Sequence, residues 1–183
     1  MKSAAVVIAF VVSTCAAIRA ADMPPPTAGS TRLPVALNSD FQFRKTKLFF
    51  LGPTPPAAQT SKFRSFTRGA SAPDSSIAFE RSYRLFGAVT ALDQRQRFGD
   101  YFDFFWRAKR DANVTVRLEY RQEGLRSFVQ ARELSYPHAR GNHKTEFRVI
   151  GDEYADDGRV MAWRCLLIEG GHIVAENRSY LWE

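Results

Sequence analysis

Residues 112–122 read ANVTVRLEYRQ, and in them Val114, Val116, Leu118 and Tyr120 alternate with Thr115, Arg117, Glu119 and Arg121. Successive side chains of an extended strand face opposite ways, so this pattern calls for a sheet with one buried face and one wet face. The same period governs most of the chain from Ile77 onward, and it places further strands at 77–83, 101–108, 125–136, 145–150, 160–169 and 172–182. Gly170-Gly171 stands between two apolar runs as a two-residue hairpin loop, and Glu123-Gly124 marks a second tight turn. Only 88–98 reads as a short helix. The expectation is an all-β, antiparallel β-sandwich of about seven strands, preceded by a flexible N-terminal region.

The segment GDYFDFFWRAKR concentrates aromatic residues at Tyr101, Phe102, Phe104, Phe105 and Trp106. On a strand, Phe102, Phe104 and Trp106 share the core face, leaving Tyr101, Asp103, Phe105 and Arg107 on the other. Tyr101 and Phe105 with Arg107 are therefore the candidate ligand platform, since aromatic faces stack on sugars and an arginine can orient a polar ligand. The competing reading packs Tyr101 and Phe105 under a loop or against the basic aromatic segment FQFRKTKLFF.

The N-terminus, MKSAAVVIAFVVSTCAAIRAAD, has a positive Lys2, an apolar run and an alanine-rich stretch, the pattern of a signal peptide over 1–20. Val12-Ser13-Thr14-Cys15 also reads as a degenerate lipobox, which would anchor the chain by lipid on Cys15. With Cys15 in the leader, Cys165 is the one thiol left to the folded part, so no internal disulfide staples it. An exported chain without disulfides suits a bacterial envelope, in the periplasm or outside the cell. Residues 21–76 form a Pro/Ser/Ala-rich linker holding the basic aromatic segment, with room for one extra strand at 46–51, and 77–183 is the sandwich domain.

Charge falls unevenly on this plan. The chain carries 26 Lys+Arg against 19 Asp+Glu, and loss of Lys2 and Arg19 with the leader leaves 24 against 19, a net +5. Residues 41–70 contain Arg44, Lys45, Lys47, Lys62, Arg64 and Arg68 and no acid. Cations interleaved with phenylalanine suit an anionic lipid or glycan surface, while lysines on an edge strand also guard against aggregation. The remaining body is charge-balanced, and an exported protein rarely meets nucleic acid, so nucleic acid is not an expected partner.

Trp106 on an early strand and Trp163 with Cys165 on a late one resemble the core of immunoglobulin-like and fibronectin-type-III-like domains. The ending VMAWRCLLIEGGHIVAENRSYLWE is similar to the final hairpin of uncharacterised exported bacterial β-sandwich proteins, a resemblance that covers about the last 105 residues and implies no activity. No catalytic set is visible: His138, His143 and His172 lack metal-ligand spacing, and Cys165 lies in an apolar strand. The acidic stretch 151–158 reads as a solvated turn, lacking the alternate-position ligands of a calcium loop. The functional expectation is a non-enzymatic binding or structural module at the cell envelope, without cofactor, that contacts another envelope protein or an anionic surface. The alternative is a carbohydrate-binding module using Tyr101, Phe105 and Arg107.

Overall fold

The computed structural model describes residues 27–28, 33–53 and 75–182; the leader and Lys62, Arg64 and Arg68 lie outside them. The strands are β1 (Thr27–Ala28), β2 (Phe41–Leu51), β3 (Gly99–Gln122), β4 (Gln130–Ile150), β5 (Val160–Glu169) and β6 (His172–Arg178). Three short helices join them, α1 (Ser75–Leu85), α2 (Ala91–Arg95) and α3 (Asp152–Asp157).

β3 and β4 make one long antiparallel hairpin of 24 and 21 residues. Its pairing shifts register between Ala108 and Ala112 and again between Ala112 and Val114. Such bulges raise the local twist and bend the strand that carries them. On the edge of β3 away from β4, β2 pairs with the first half, Leu51 opposite Gly99 through Phe41 opposite Ala108. β5 takes the second half of the same edge, from Ile168 opposite Thr115 to Val160 opposite Gln122. The sheet therefore curls until its two halves face each other. Phe102 and Phe104 of the first half meet Trp163 of the second with ring centroids 6.1 and 5.4 Å apart, both edge to face.

The antiparallel all-β expectation holds at this level. In place of about seven strands in two sheets, however, six strands hydrogen-bond as a single sheet in the order β1-β4-β3-β5-β6, with β2 attached to β3. The alternation of 112–122 does set the faces: Val114, Val116, Leu118 and Tyr120 are all buried inside with Phe104, Trp106 and Phe147. The Gly170-Gly171 hairpin also forms, both glycines taking the positive φ (55° and 79°) that a two-residue turn demands.

Other expectations are corrected. Residues 77–83 belong to helix α1 rather than a strand, and 152–157 form α3 rather than an irregular turn. β4 begins at Gln130 instead of 125, because the chain first turns through Arg126 at φ 53°. β2 starts at Phe41, five residues earlier than the extra strand expected at 46–51. Part of the expected linker is bound as well, Ala36 and Asn38 donating to the Ile173 and Val174 carbonyls of β6, each at 2.9 Å.

A buried polar knot closes one end of the core. The Tyr120 hydroxyl lies 2.5 Å from Glu153 Oε1 and 3.0 Å from Gln130 Oε1. Arg132 pairs with Glu153 and donates from Nη1 to the Arg148 carbonyl at 2.9 Å. Burial first, then the Glu153 carboxylate, pushes the Tyr120 phenol well up, so it stays protonated as a donor. The knot ties α3 to the sheet.

Because Trp163 is the wedge between the two halves, Trp163→Ala is expected to cost about 3–5 kcal/mol of stability. Urea unfolding measures it, and a loss under about 1 kcal/mol would show that the curl does not depend on this ring.

Candidate functional site

The outer face of the first half-sheet carries most of the residues singled out in the sequence. Along β3, Tyr101, Asp103, Phe105 and Arg107 point outward because their even-numbered neighbours fill the core. β2 lays Phe49, Lys47 and Lys45 opposite Tyr101, Asp103 and Phe105, while β4 sets Arg148, Glu146, Lys144 and Asn142 opposite Tyr101, Asp103, Phe105 and Arg107. Three strands thus bring alternating cations and aromatic rings onto one surface.

The expected aromatic platform is not formed on it. Tyr101 is only 4% exposed. Its ring lies 4.3 Å from the Arg84 guanidinium of α1, and its hydroxyl donates to the Arg97 carbonyl at 2.6 Å. Burial raises its phenol above the usual tyrosine range despite the nearby arginines. Phe105 is half-buried, with Lys47 Nζ and Lys144 Nζ each 5.9 Å from its centroid. Arg107 is exposed. The structure therefore brings Phe105 and Arg107 to the surface and sends Tyr101 beneath α1.

The charges of this face are sorted by depth. Asp103 is buried at 7% exposure and Glu146 is half-buried, both under the surface cations. Arg84 reaches into them, 2.7 Å from Glu146 and 3.7 Å from Asp103, with Glu80 at 2.8 Å on its own helix. Lys144 Nζ sits 3.1 Å from Asp103. Burial works against a charged Arg84, but its hydrogen bond to Glu80 and the field of Glu146 outweigh it and hold the guanidinium pKa above its ordinary value. Burial likewise opposes ionisation of Glu146, and Arg148 and Arg84 overcome it to hold that carboxyl below the usual range. The acids are thus paired by Arg84 from beneath α1 and by Lys144 and Arg148 of the face itself, while Lys45, Lys47 and Arg107 point outward exposed.

Arg44 and Lys45 have a second role as part of the wall of an 850 Å³ groove between β2 and β6, with Glu176 and Asn177 on the far wall. The two walls are tied by a 2.7 Å hydrogen bond from Asn177 Nδ2 to Thr46 Oγ1. Cysteine and histidine side chains lie elsewhere. Cys165 is fully buried, and desolvation pushes its thiol far up, away from nucleophilic use. His143 stacks on Trp106 at 4.5 Å, and His138 faces Asp111 at 3.2 Å. Among the described residues no group of three His, Cys, Asp or Glu could hold a metal ion.

Reading the sequence by strand period missed Phe79, Tyr83 and Phe86, whose spacing of four and three residues is that of one helix face. It also missed the capping box of α2, where Thr90 Oγ1 accepts from Asp93 N at 3.1 Å and Asp93 accepts from Thr90 N at 2.9 Å.

Glu146 gives the face a pH signature. A carboxyl whose folded pKa lies below its unfolded value stabilises the fold above the unfolded pKa of about 4.3, and that support is lost as pH falls through the folded pKa. Glu146→Gln is expected to cost about 2 kcal/mol near neutral pH and to converge with the parent in acid. Urea midpoints across that range test it; a cost independent of pH would mean the carboxylate charge is not what matters.

The chain matches no protein-family model, no curated protein and no solved structure.

Proposed function

We propose that the chain is an exported, non-catalytic binding module of the cell envelope that docks through the outer face of β2, β3 and β4 onto an anionic surface. The observation that carries this reading is the sorting of charge by depth: Lys45, Lys47 and Arg107 are exposed around Phe105, while Asp103 and Glu146 are sunk and paired. Ion pairing within a fold normally leaves the surface mixed in sign. Here the acids are taken up by Arg84 of α1 and by Lys144 and Arg148 of β4, and Lys45, Lys47 and Arg107 remain exposed beside them, so an approaching polyanion meets positive charge with a ring at its centre.

The reading retains the sandwich in its loose sense of two facing β layers and leaves catalysis aside. A carbohydrate-binding module stacking sugars on Tyr101, Phe105 and Arg107 is less well supported, because Tyr101 is covered by Arg84 and one half-buried ring does not make a platform. The basic residues Lys62, Arg64 and Arg68 extend the same charge along the sequence.

The test is binding of the chain, as recovered from expressing cells, to immobilised heparin as a model polyanion at low and high salt. Retention at low salt and release at high salt are expected, with Lys45→Glu combined with Lys47→Glu weakening retention about tenfold or more. Failure to bind at low salt, or binding indifferent to both changes, would overturn the proposal.

A further inference from the structure

Helix α1 is built inside out. The side chains it turns toward the sheet are polar: Arg84 is 8% exposed among Glu80, Asp103 and Glu146, and Arg81 Nη1 donates to the Gly52 carbonyl at 2.8 Å. The side chains it turns to solvent are apolar. Phe79 and Tyr83 are 70% and 65% exposed, and beyond the helix Phe86, Val89 and Leu92 are 84%, 87% and 65% exposed. Scattered apolar residues on a surface are ordinary, whereas five large ones within 14 residues of chain form a crest that water disfavours.

The charge around the crest indicates what would cover it. Its own acids are engaged, Glu80 with Arg84 and Asp93 with the backbone N–H of Thr90. Arg95 and Arg97 stay exposed at its far end. At its near end a 410 Å³ cleft, lined by Lys47, Phe49, Ile77 and Arg84 and floored by the Arg84-paired acids Glu80 and Asp103, joins α1 to the basic face of β2. Two copies of the chain meeting crest to crest would bring these cations together. An anionic bilayer instead accepts rings and aliphatic side chains below its headgroups and cations among them. With 11 residues α1 is far short of the roughly 20 needed to span, and among the described residues no helix is long and apolar enough to cross a membrane.

We infer that the anionic surface is a lipid bilayer and that Phe79, Tyr83, Phe86, Val89 and Leu92 insert at its interface, with α1 lying in the membrane plane. This inference rests on the proposed anionic docking face and adds the class of partner and the inserting residues.

The experiment uses vesicles of phosphatidylcholine alone or mixed with phosphatidylglycerol, with heparin binding measured in parallel. Phe79→Ser combined with Phe86→Ser is expected to reduce co-sedimentation with mixed vesicles about tenfold or more and to leave heparin retention and the urea midpoint unchanged, since both rings are exposed. An environment-sensitive dye on Phe86→Cys, in a Cys15→Ser background where buried Cys165 does not react, is expected to blue-shift with mixed vesicles only. If the double variant binds vesicles like its parent and the dye does not shift while heparin is still bound, the insertion is overturned and the anionic docking face stands. Concentration-dependent self-association abolished by the same variant, without vesicle binding, would overturn it in favour of a protein interface. Loss of heparin binding in the parent chain would remove the docking face itself.

Discussion

The contact of Phe104 with Trp163 across the curl is what the rest of the fold depends on. A sheet whose first and second halves lay flat would leave Phe102, Phe104 and Trp163 on an open surface, and none of the three helices is long enough to cover them. Bending at the bulges around Ala112 brings Trp163 onto Phe102 and Phe104 at 6.1 and 5.4 Å and lets one continuous sheet supply both walls of its own core. Small side chains at the bend make this feasible: Ala108, Ala112 and Ala139 are buried where β3 and β4 turn the corner, and larger ones there would hold the halves apart. Two edge strands, β2 and β6, become the walls of the groove bridged by Thr46 and Asn177.

The sequence exposed this logic unevenly. Alternation placed Val114, Val116, Leu118 and Tyr120 on the core face and their neighbours on the opposite one, where Glu119 is nonetheless buried against Arg164, because side-chain direction on a strand is a local property. It also placed Phe102, Phe104 and Trp106 in the core for the same reason. Register along an edge is not local: that β2 and β5 share one edge of β3 in series depends on a bend whose signal is two small shifts in pairing. The count of about seven strands comes from treating 101–108 and 112–122, and likewise 125–136 and 145–150, as separate and 77–83 as a strand, whereas β3 runs through the first pair, β4 through the second, and 77–83 lies in α1.

Helix α1 shows a different failure. Ile77, Phe79 and Tyr83 lie at odd positions and satisfy a strand template as well as a helical one, and short apolar patterns do not decide between the two. The usual arbiter, burying the apolar side, misleads here because α1 buries its charges. For Tyr101 the strand period gives its side of β3 and leaves platform and covered residue both open, because a face with Asp103 on it reads as exposed unless something brings a cation to cover it. Nothing local in the sequence announces that Arg84 does so from 19 residues upstream of Asp103.

The orientation of α1 is better understood as an electrostatic choice than as a failure of packing. Rotated by half a turn, the helix would bury Phe79 and Tyr83, each worth about 1.5–3 kcal/mol. The same rotation would strip Arg84 from Asp103 and Glu146, and removing one member of a buried charge pair costs about 3–5 kcal/mol. The two terms are of similar size, so the buried acids can hold the helix polar side inward while its apolar side stays uncovered. Among the described residues, the fold does not provide that apolar burial without breaking its own ion pairs. On the proposed bilayer docking, hydrocarbon and negative charge together would supply it while leaving Arg84 in place, so the interaction that turns the apolar side of α1 outward is also the one that would present it to a membrane.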